Sequence, residues 1–269
     1  MSAPRSEGAD SPHPVDLGKG TLRGPAFRVV RSLLLAVVGP VVRLRLEGID
    51  YVPASGPLVV VCNHLHNADP VLLAIAFPRP VHFMAKKEAF GNPVIRAIIR
   101  RVGAFPVDRG RADRAAIRRA QATLRQGIPV GIFPEGTRSR TGSMRRAQPG
   151  AALLALRTGA PVLPIAIAGS ERLPFDGGSR GRGDAVLGVA HPRGVVIRFG
   201  RPFVLPREID GQRLSTKEAT ERMMRAVAAL LPPAYRGEYG VEAGGPTPPP
   251  SSAGGDVDGL PSASSPGVG

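Results

Sequence analysis

The sequence predicts an α/β fold: a central, largely parallel sheet flanked by helices, in a single domain with an N-terminal amphipathic helix. Two observations carry this reading. From about residue 42 to 231, segments of strand character alternate with segments of helical spacing, and no internal repeat is evident. The strand segments at 58–62, 130–133 and 161–167 are short apolar runs bounded by turn residues, as expected for strands covered on both faces.

Taken in order, residues 1–22 lack apolar periodicity and are expected to be disordered, as is the Gly/Pro/Ser-rich stretch 239–269, which leaves a domain over 23–238. Residues 26–42 place Phe27, Val30, Leu34, Val38 and Val41 at three-and-four spacing, with Arg28 and Arg31 in the first turns. Gly39-Pro40 is expected to end this helix. The uncharged run 32–42 is shorter than the roughly 20 residues a membrane crossing needs. Two readings remain open for it: a helix lying in a lipid interface, or one packed on the domain core.

Residues 42–47 alternate with period two and read as a half-wet strand. A turn at 53–57 leads into the buried strand 58–62, and a helix of about 69–77 is followed by a strand at 81–85. Within that strand His82 reads as a strand residue, and Lys86 and Lys87 end it as a solvated pair. Residues 93–102 form an amphipathic helix with Arg96, Arg100 and Arg101 on its outer side. A helix over about 113–126 has Ile117, Ala120 and Leu124 inward, and another over about 149–158 stops at Gly159. Residues 176–194 are a flexible basic insertion, 195–200 a strand, and Ser215-Thr216-Lys217-Glu218 a capping box opening a helix to about 231.

Composition narrows the function. The formal net charge is +15, which points to an anionic partner: nucleic acid, a membrane surface or a phosphorylated substrate. Aromatics make up 4% of the chain and tryptophan is absent, which disfavours nucleic acid because stacking platforms are missing. The single cysteine, Cys62, rules out an intramolecular disulfide and a cysteine metal cluster. Ending an apolar strand, it reads as a small buried residue rather than a nucleophile. The first 20 residues are polar and proline-rich, unlike a secretory signal, so a cytosolic site of action is expected.

Two loops carry the chemistry. Asn63-His64-Leu65-His66-Asn67-Ala68-Asp69 follows the strand 58–62 and supplies an imidazole with a carboxylate five residues on. A neutral histidine accepts a proton near cellular pH, and a carboxylate fixes its tautomer and stabilises the imidazolium. Inside one helix, positions five apart diverge by roughly 140°, so the pair can meet only if His64 lies in the loop and the helix starts near Asp69. Asp69-Pro70 fits an N-cap followed by a first-position proline. That leaves two readings open, a catalytic pair or a loop histidine beside a helix cap. The second loop, Pro134 to Arg140, sets Gly136 among Glu135, Thr137 and Arg138, where backbone N–H groups and a guanidinium fork can converge on an anion. An ordinary turn with a surface salt bridge is the alternative.

Four blocks in order resemble the glycerolipid acyltransferase family typified by bacterial 1-acylglycerol-3-phosphate acyltransferase. Asn63-His64 with Asp69-Pro70 is similar to its NHx4D block, and Gly103-Ala104-Phe105-Pro106-Val107-Asp108-Arg109 to its second. Phe133-Pro134-Glu135-Gly136-Thr137-Arg138-Ser139 is similar to its third block, and Ala160-Pro161-Val162-Leu163-Pro164-Ile165 to its fourth. The resemblance covers about residues 40–210. It implies an O-acyltransferase of phospholipid biosynthesis that moves a fatty acyl group from acyl-CoA or acyl carrier protein to lysophosphatidic acid; the alternatives are another lysophospholipid, glycerol 3-phosphate or a glycolipid as acceptor, or a non-catalytic protein that binds anionic lipid. His64 is then the general base supported by Asp69, and Arg109, Glu135, Gly136, Thr137 and Arg138 bind the acceptor phosphate, Glu135 by orienting an arginine or a substrate hydroxyl rather than by meeting the phosphate. No metal or cofactor is implied beyond the acyl co-substrate. The implied partners are the donor, the lysophospholipid acceptor and an anionic membrane surface, at the cytoplasmic face of the membrane. Two positions depart from the family pattern. His66 stands where serine is frequent, and Ala147-Gln148-Pro149-Gly150 replaces a lysine-containing FKxG, leaving Arg145 or Arg146 to substitute.

Overall fold

The computed structural model describes residues 24–86, 105–107, 114–173 and 194–240. Residues 1–23 and 241–269, the helix expected at 93–102, Arg109 and the basic stretch 176–193 lie outside the described residues; Tyr239, expected to open the disordered tail, is instead buried in a 3-10 turn. The described strands form a seven-stranded sheet in the order β1 (Arg45–Glu47), β7 (Val196–Phe199), β6 (Val162–Ala168), β2 (Val59–Cys62), β5 (Val130–Ile132), β3 (His82–Lys86), β4 (Phe105–Val107). Strands β6, β2, β5, β3 and β4 run parallel; β7 is antiparallel to β6 and carries β1 parallel to itself. The expected largely parallel sheet is therefore present, with two reversed strands at one side.

Helices cover both faces, and the alternation of side chains along β2 shows why its run is uniformly apolar. Val59 and Val61 enter one core with Leu124, Leu154, Met223 and Val227, from α3 (Arg114–Arg125), α4 (Gly150–Thr158) and α5 (Thr216–Ala229). Val60 and Cys62 enter the other with Leu72, Leu73 and Phe77, from α2 (Asp69–Ala76) and the residue that ends it. All four residues of β2 are buried, each valine contributing about 1.5–3 kcal/mol of transfer free energy, so either face turned to water would be costly. The expected inner stripe of α3 is shifted slightly: Ala116, Ala120, Thr123 and Leu124 are buried, while Ile117 is half-buried. The capping box forms as expected, with Ser215 Oγ accepting the Glu218 N–H and Glu218 accepting the Ser215 N–H.

Helix α1 (Gly24–Val42) differs from expectation in two respects. It does not end at Gly39-Pro40 but runs two residues further with Pro40 inside. A proline this close to the end removes only one i to i−4 bond, and the Gly39 and Pro40 carbonyls are taken up by the N–H groups of Leu44 and Arg43. At 19 residues with a mean hydropathy of 1.6, the helix also has the length and composition to cross a membrane, which the shorter uncharged run did not suggest. It is mounted on the core by Arg31, whose guanidinium donates to the carbonyls of Ala76 (2.8 Å) and Phe77 (2.9 Å) at the end of α2. Val38 and Val42 pack against the core, whereas Val29, Leu33, Val37 and Val41 form a stripe that is 59–80% exposed.

Beyond α5 the chain does not leave the domain. It makes two 3-10 turns, Pro233–Tyr235 and Gly237–Tyr239, whose tyrosines are buried. A small hairpin of β8 (Glu208–Ile209) and β9 (Gln212–Arg213) precedes α5. Neither feature has the periodicity that makes a longer element readable.

Candidate active site

The site lies at the carboxyl ends of β2 and β5. The connection after β2 leads to α2 on one face and that after β5 to α4 on the other, so the two loops diverge and leave a crevice between them. His64 lies in the first loop and Glu135 in the second.

Asn63 fixes the start of the first loop. Its side-chain amide donates to the Ile167 carbonyl and accepts the Ile167 N–H, both at 2.8 Å, extending the β2–β6 ladder by one side-chain pair. His64 Nδ1 then lies 2.9 Å from Asp69 Oδ2, and the same oxygen accepts the N–H groups of Leu65 (2.6 Å) and His66 (2.7 Å). With two backbone N–H groups already on it, Oδ2 is an acceptor, so a neutral His64 donates its proton from Nδ1 and carries the lone pair on Nε2. Among the described residues Nε2 has no hydrogen-bond partner. The imidazole plane is set by Phe133, with ring centroids 4.4 Å apart, and Phe133 stacks in turn on Phe83 at 6.1 Å. Gly131 makes room for this stack, since a Cβ there would overlap the Phe83 ring.

Asp69 was expected to be the N-cap of α2; the structure places Ala68 there and Asp69 in the first turn, with no side-chain capping bond. The turn closes early, through Asp69 N to His66 O (3.0 Å) and Leu72 N to Ala68 O (2.8 Å), and the carboxylate faces back toward residues 64–66. Pro70 sits where a missing N–H costs no helical bond. His66, for which the sequence suggested no role, accepts the Ala68 N–H on Nδ1 at 3.0 Å and so props the same turn.

Glu135 is buried, and each of its oxygens is occupied by a backbone amide: Oε1 by His64 N (3.0 Å) and Oε2 by Arg145 N (2.9 Å). Together with Ser139 N donating to His64 O (2.8 Å), it holds the histidine's backbone on both sides. Gly136 follows with φ +71°, a left-handed conformation that explains the glycine, since a Cβ there would meet only Gln148 at 3.7 Å. Thr137 is exposed and Arg138 half-buried on the outer side of this loop. The structure thus brings His64, Asp69 and Glu135 together and strings Gly136, Thr137 and Arg138 beside them; Arg109 lies outside the described residues. Asn63 and His66 are the supports that sequence reasoning missed, and a polar residue closing a buried strand was the only local signal for the first.

Burial pushes the Glu135 carboxyl up to about 7, against the N–H groups of Arg145 and His64, which pull it down. Burial likewise holds the Cys62 thiol well above its usual range, reinforced by Asp69 and Glu135, so it is no nucleophile at neutral pH. The raised Glu135 value has a consequence for stability. A folded-state value of about 7 against 4.5 favours the protonated form in the native protein, so this contribution is complete below pH 4.5 and is lost as pH rises through 7. Urea titrations from pH 5 to 8 should show the wild type losing up to about 3 kcal/mol relative to Glu135→Gln. A pH-independent difference between the two proteins would contradict the shift.

A histidine whose imidazole is oriented by a buried aspartate, at the carboxyl end of a parallel sheet, has the geometry to accept a proton on Nε2. Residues 43–168 of the chain match the family model described as Acyltransferase. It is 37% identical over 122 residues to the 1-acyl-sn-glycerol-3-phosphate acyltransferase of Bacillus subtilis (strain 168), covering 45% of this chain and 60% of that one. With the human 1-acyl-sn-glycerol-3-phosphate acyltransferase alpha it shares 32% over 127 residues, 46% of this chain and 45% of the relative. These matches therefore span well under the full length of the relatives. The fold is similar to the crystal structure of the 1-acyl-sn-glycerophosphate acyltransferase PlsC from Thermotoga maritima, with a TM-score of 0.54 and 25% identity over 75% of this chain and 81% of that one.

Proposed function

We propose that this chain transfers a fatty acyl group from acyl-CoA or acyl carrier protein to the free hydroxyl of a lysophosphatidic acid, giving phosphatidate. The observation that carries the reading is the His64–Asp69 contact of 2.9 Å with Nε2 left open. Nε2 removes the hydroxyl proton as the oxygen attacks the thioester carbonyl. The tetrahedral intermediate collapses, and the departing thiolate takes the proton back from the imidazolium, which Asp69 stabilises meanwhile. No acyl-enzyme is required, and the buried thiol of Cys62 offers none. Arg109, Gly136, Thr137 and Arg138 hold the acceptor phosphate; Glu135 serves from behind, fixing the backbone that carries His64. The test is product analysis with a labelled acyl donor and 1-acylglycerol 3-phosphate.

The acceptor is an amphiphile, and α1 supports work at the membrane surface on its cytoplasmic side. Leu33 and Val37 are 61% and 67% exposed, an apolar stripe that suits a lipid interface. Because these side chains support no core, Leu33→Asp with Val37→Asp should leave the fold intact while abolishing co-sedimentation with anionic vesicles. Unchanged sedimentation would rule out α1 as the anchor.

A further inference from the structure

Residues 137–145, the outer part of the loop after β5, are joined to the turns that follow α5. Met144 N donates to Tyr235 O (2.8 Å), Met144 O accepts from Glu238 N (3.3 Å), and Tyr239 Oη accepts from Ala147 N (2.9 Å). Between the two segments opens a cavity of ≈ 670 Å³, lined among others by Thr137, Arg140, Thr141, Ser143, Arg145 and Glu238. Arg140 and Arg145 are exposed and lie in no salt bridge with a described carboxylate, although the Arg145 charge acts on the buried Glu135. Three hydroxyls run beside them as a hydrogen-bonded chain, Ser139 to Thr141 at 3.2 Å and Thr141 to Ser143 at 3.0 Å. One carboxylate against two guanidiniums leaves the wall cationic and rich in donors.

We propose that this cavity binds the phosphate of the acyl donor's phosphopantetheine arm. The proposal rests on the acyltransferase reading above and assigns a substrate end to a surface outside the base's own crevice. Guanidinium forks and rotatable hydroxyls are the groups that surround phosphate oxygens, and the volume falls in the range of small-molecule sites, about 300–1,000 Å³. The lining separates donor from acceptor: Gly136 and Arg138, assigned above to the acceptor phosphate, do not line the cavity, and of that described set Thr137 alone is shared. The cavity wall and the base share one carboxylate, since Glu135 holds the backbones of both His64 and Arg145, yet His64 does not line the cavity. In lysophosphatidate only four bonds separate the reacting hydroxyl oxygen from phosphorus, so its phosphate has to lie beside the base. In the donor the whole pantetheine arm separates phosphate from thioester, so the two ends can occupy separate places. Coenzyme A and acyl carrier protein present the same arm, so the chemistry is common to both.

The experiment uses calorimetry with coenzyme A, 4′-phosphopantetheine and pantetheine on the full chain, and steady-state kinetics with acyl-CoA and with acyl carrier protein. The proteins are the wild type, Arg140→Ala, Arg145→Ala and the double variant. Both substitutions keep the backbone N–H to Glu135, and circular dichroism reads whether the fold is retained. Losing charge-assisted hydrogen bonds should weaken coenzyme A and phosphopantetheine binding by about tenfold or more in the double variant. Pantetheine should bind weakly and equally to all, and the KM for the donor should rise in parallel with the loss of binding. The donor that supports turnover, acyl-CoA or acyl carrier protein, identifies the source of the arm. A rise in the KM for lysophosphatidate with an unchanged donor KM overturns the proposal, as does coenzyme A binding that is indifferent to both substitutions. Absence of turnover in the wild type with either donor would defeat the acyltransferase reading, and the calorimetric contrast would still decide the cavity.

Discussion

His64→Ala should lower kcat/KM for phosphatidate formation by about 10³-fold, within the range that a positioned general base contributes. The substitution isolates chemistry from folding. The backbone N–H of residue 64 still reaches Glu135, its carbonyl still accepts from Ser139, and Asp69 keeps the N–H groups of Leu65 and His66. What disappears is the imidazole, and with it the Nε2 lone pair facing the crevice. The melting temperature should therefore stay near that of the wild type while turnover falls. Retained turnover in a folded variant would remove His64 from the role of base.

Asp69→Asn should cost both activity and stability, and for separable reasons. The single oxygen Oδ2 gathers His64 Nδ1 and two backbone amides in a buried setting. An amide keeps the shape but loses the charge that stabilises the imidazolium. If its NH2 turns toward Nδ1, the ring proton moves to Nε2 and the base is lost altogether. Activity should fall about 10²–10⁴-fold, and stability by roughly 1–3 kcal/mol as buried N–H groups lose their charged acceptor. Denaturant midpoints alongside initial rates separate the two losses. A variant with wild-type rates would mean that the carboxylate serves only the turn before α2.

What could be read from the sequence was local. The apolar run of β2 is legible because a strand buried on both faces cannot afford a polar residue on either, and the Ser215–Glu218 box because its partners are three residues apart. His64 and Asp69 were legible as a pair because only a loop followed by a helix start lets residues five apart meet. The supports were not. Asn63 pairs with a strand 104 residues away, and Glu135 reaches the His64 amide across 71. Motif spacing says nothing about which way a side chain faces, so Glu135 read as orienting an arginine or a substrate hydroxyl, although both its oxygens are occupied by backbone. The reversal of β7 and the burial of Tyr235 are likewise products of tertiary packing, settled by partners far away in sequence.

The most direct test of the His64–Asp69 mechanism is mass spectrometry of the products formed from a labelled acyl donor, as CoA or carrier-protein thioester, and 1-acylglycerol 3-phosphate. Wild type and folded His64→Ala protein are compared side by side. The account predicts labelled phosphatidate from the wild type and at most a trace from the variant. No phosphatidate from the wild type with either donor, or equal amounts from both proteins, would contradict it.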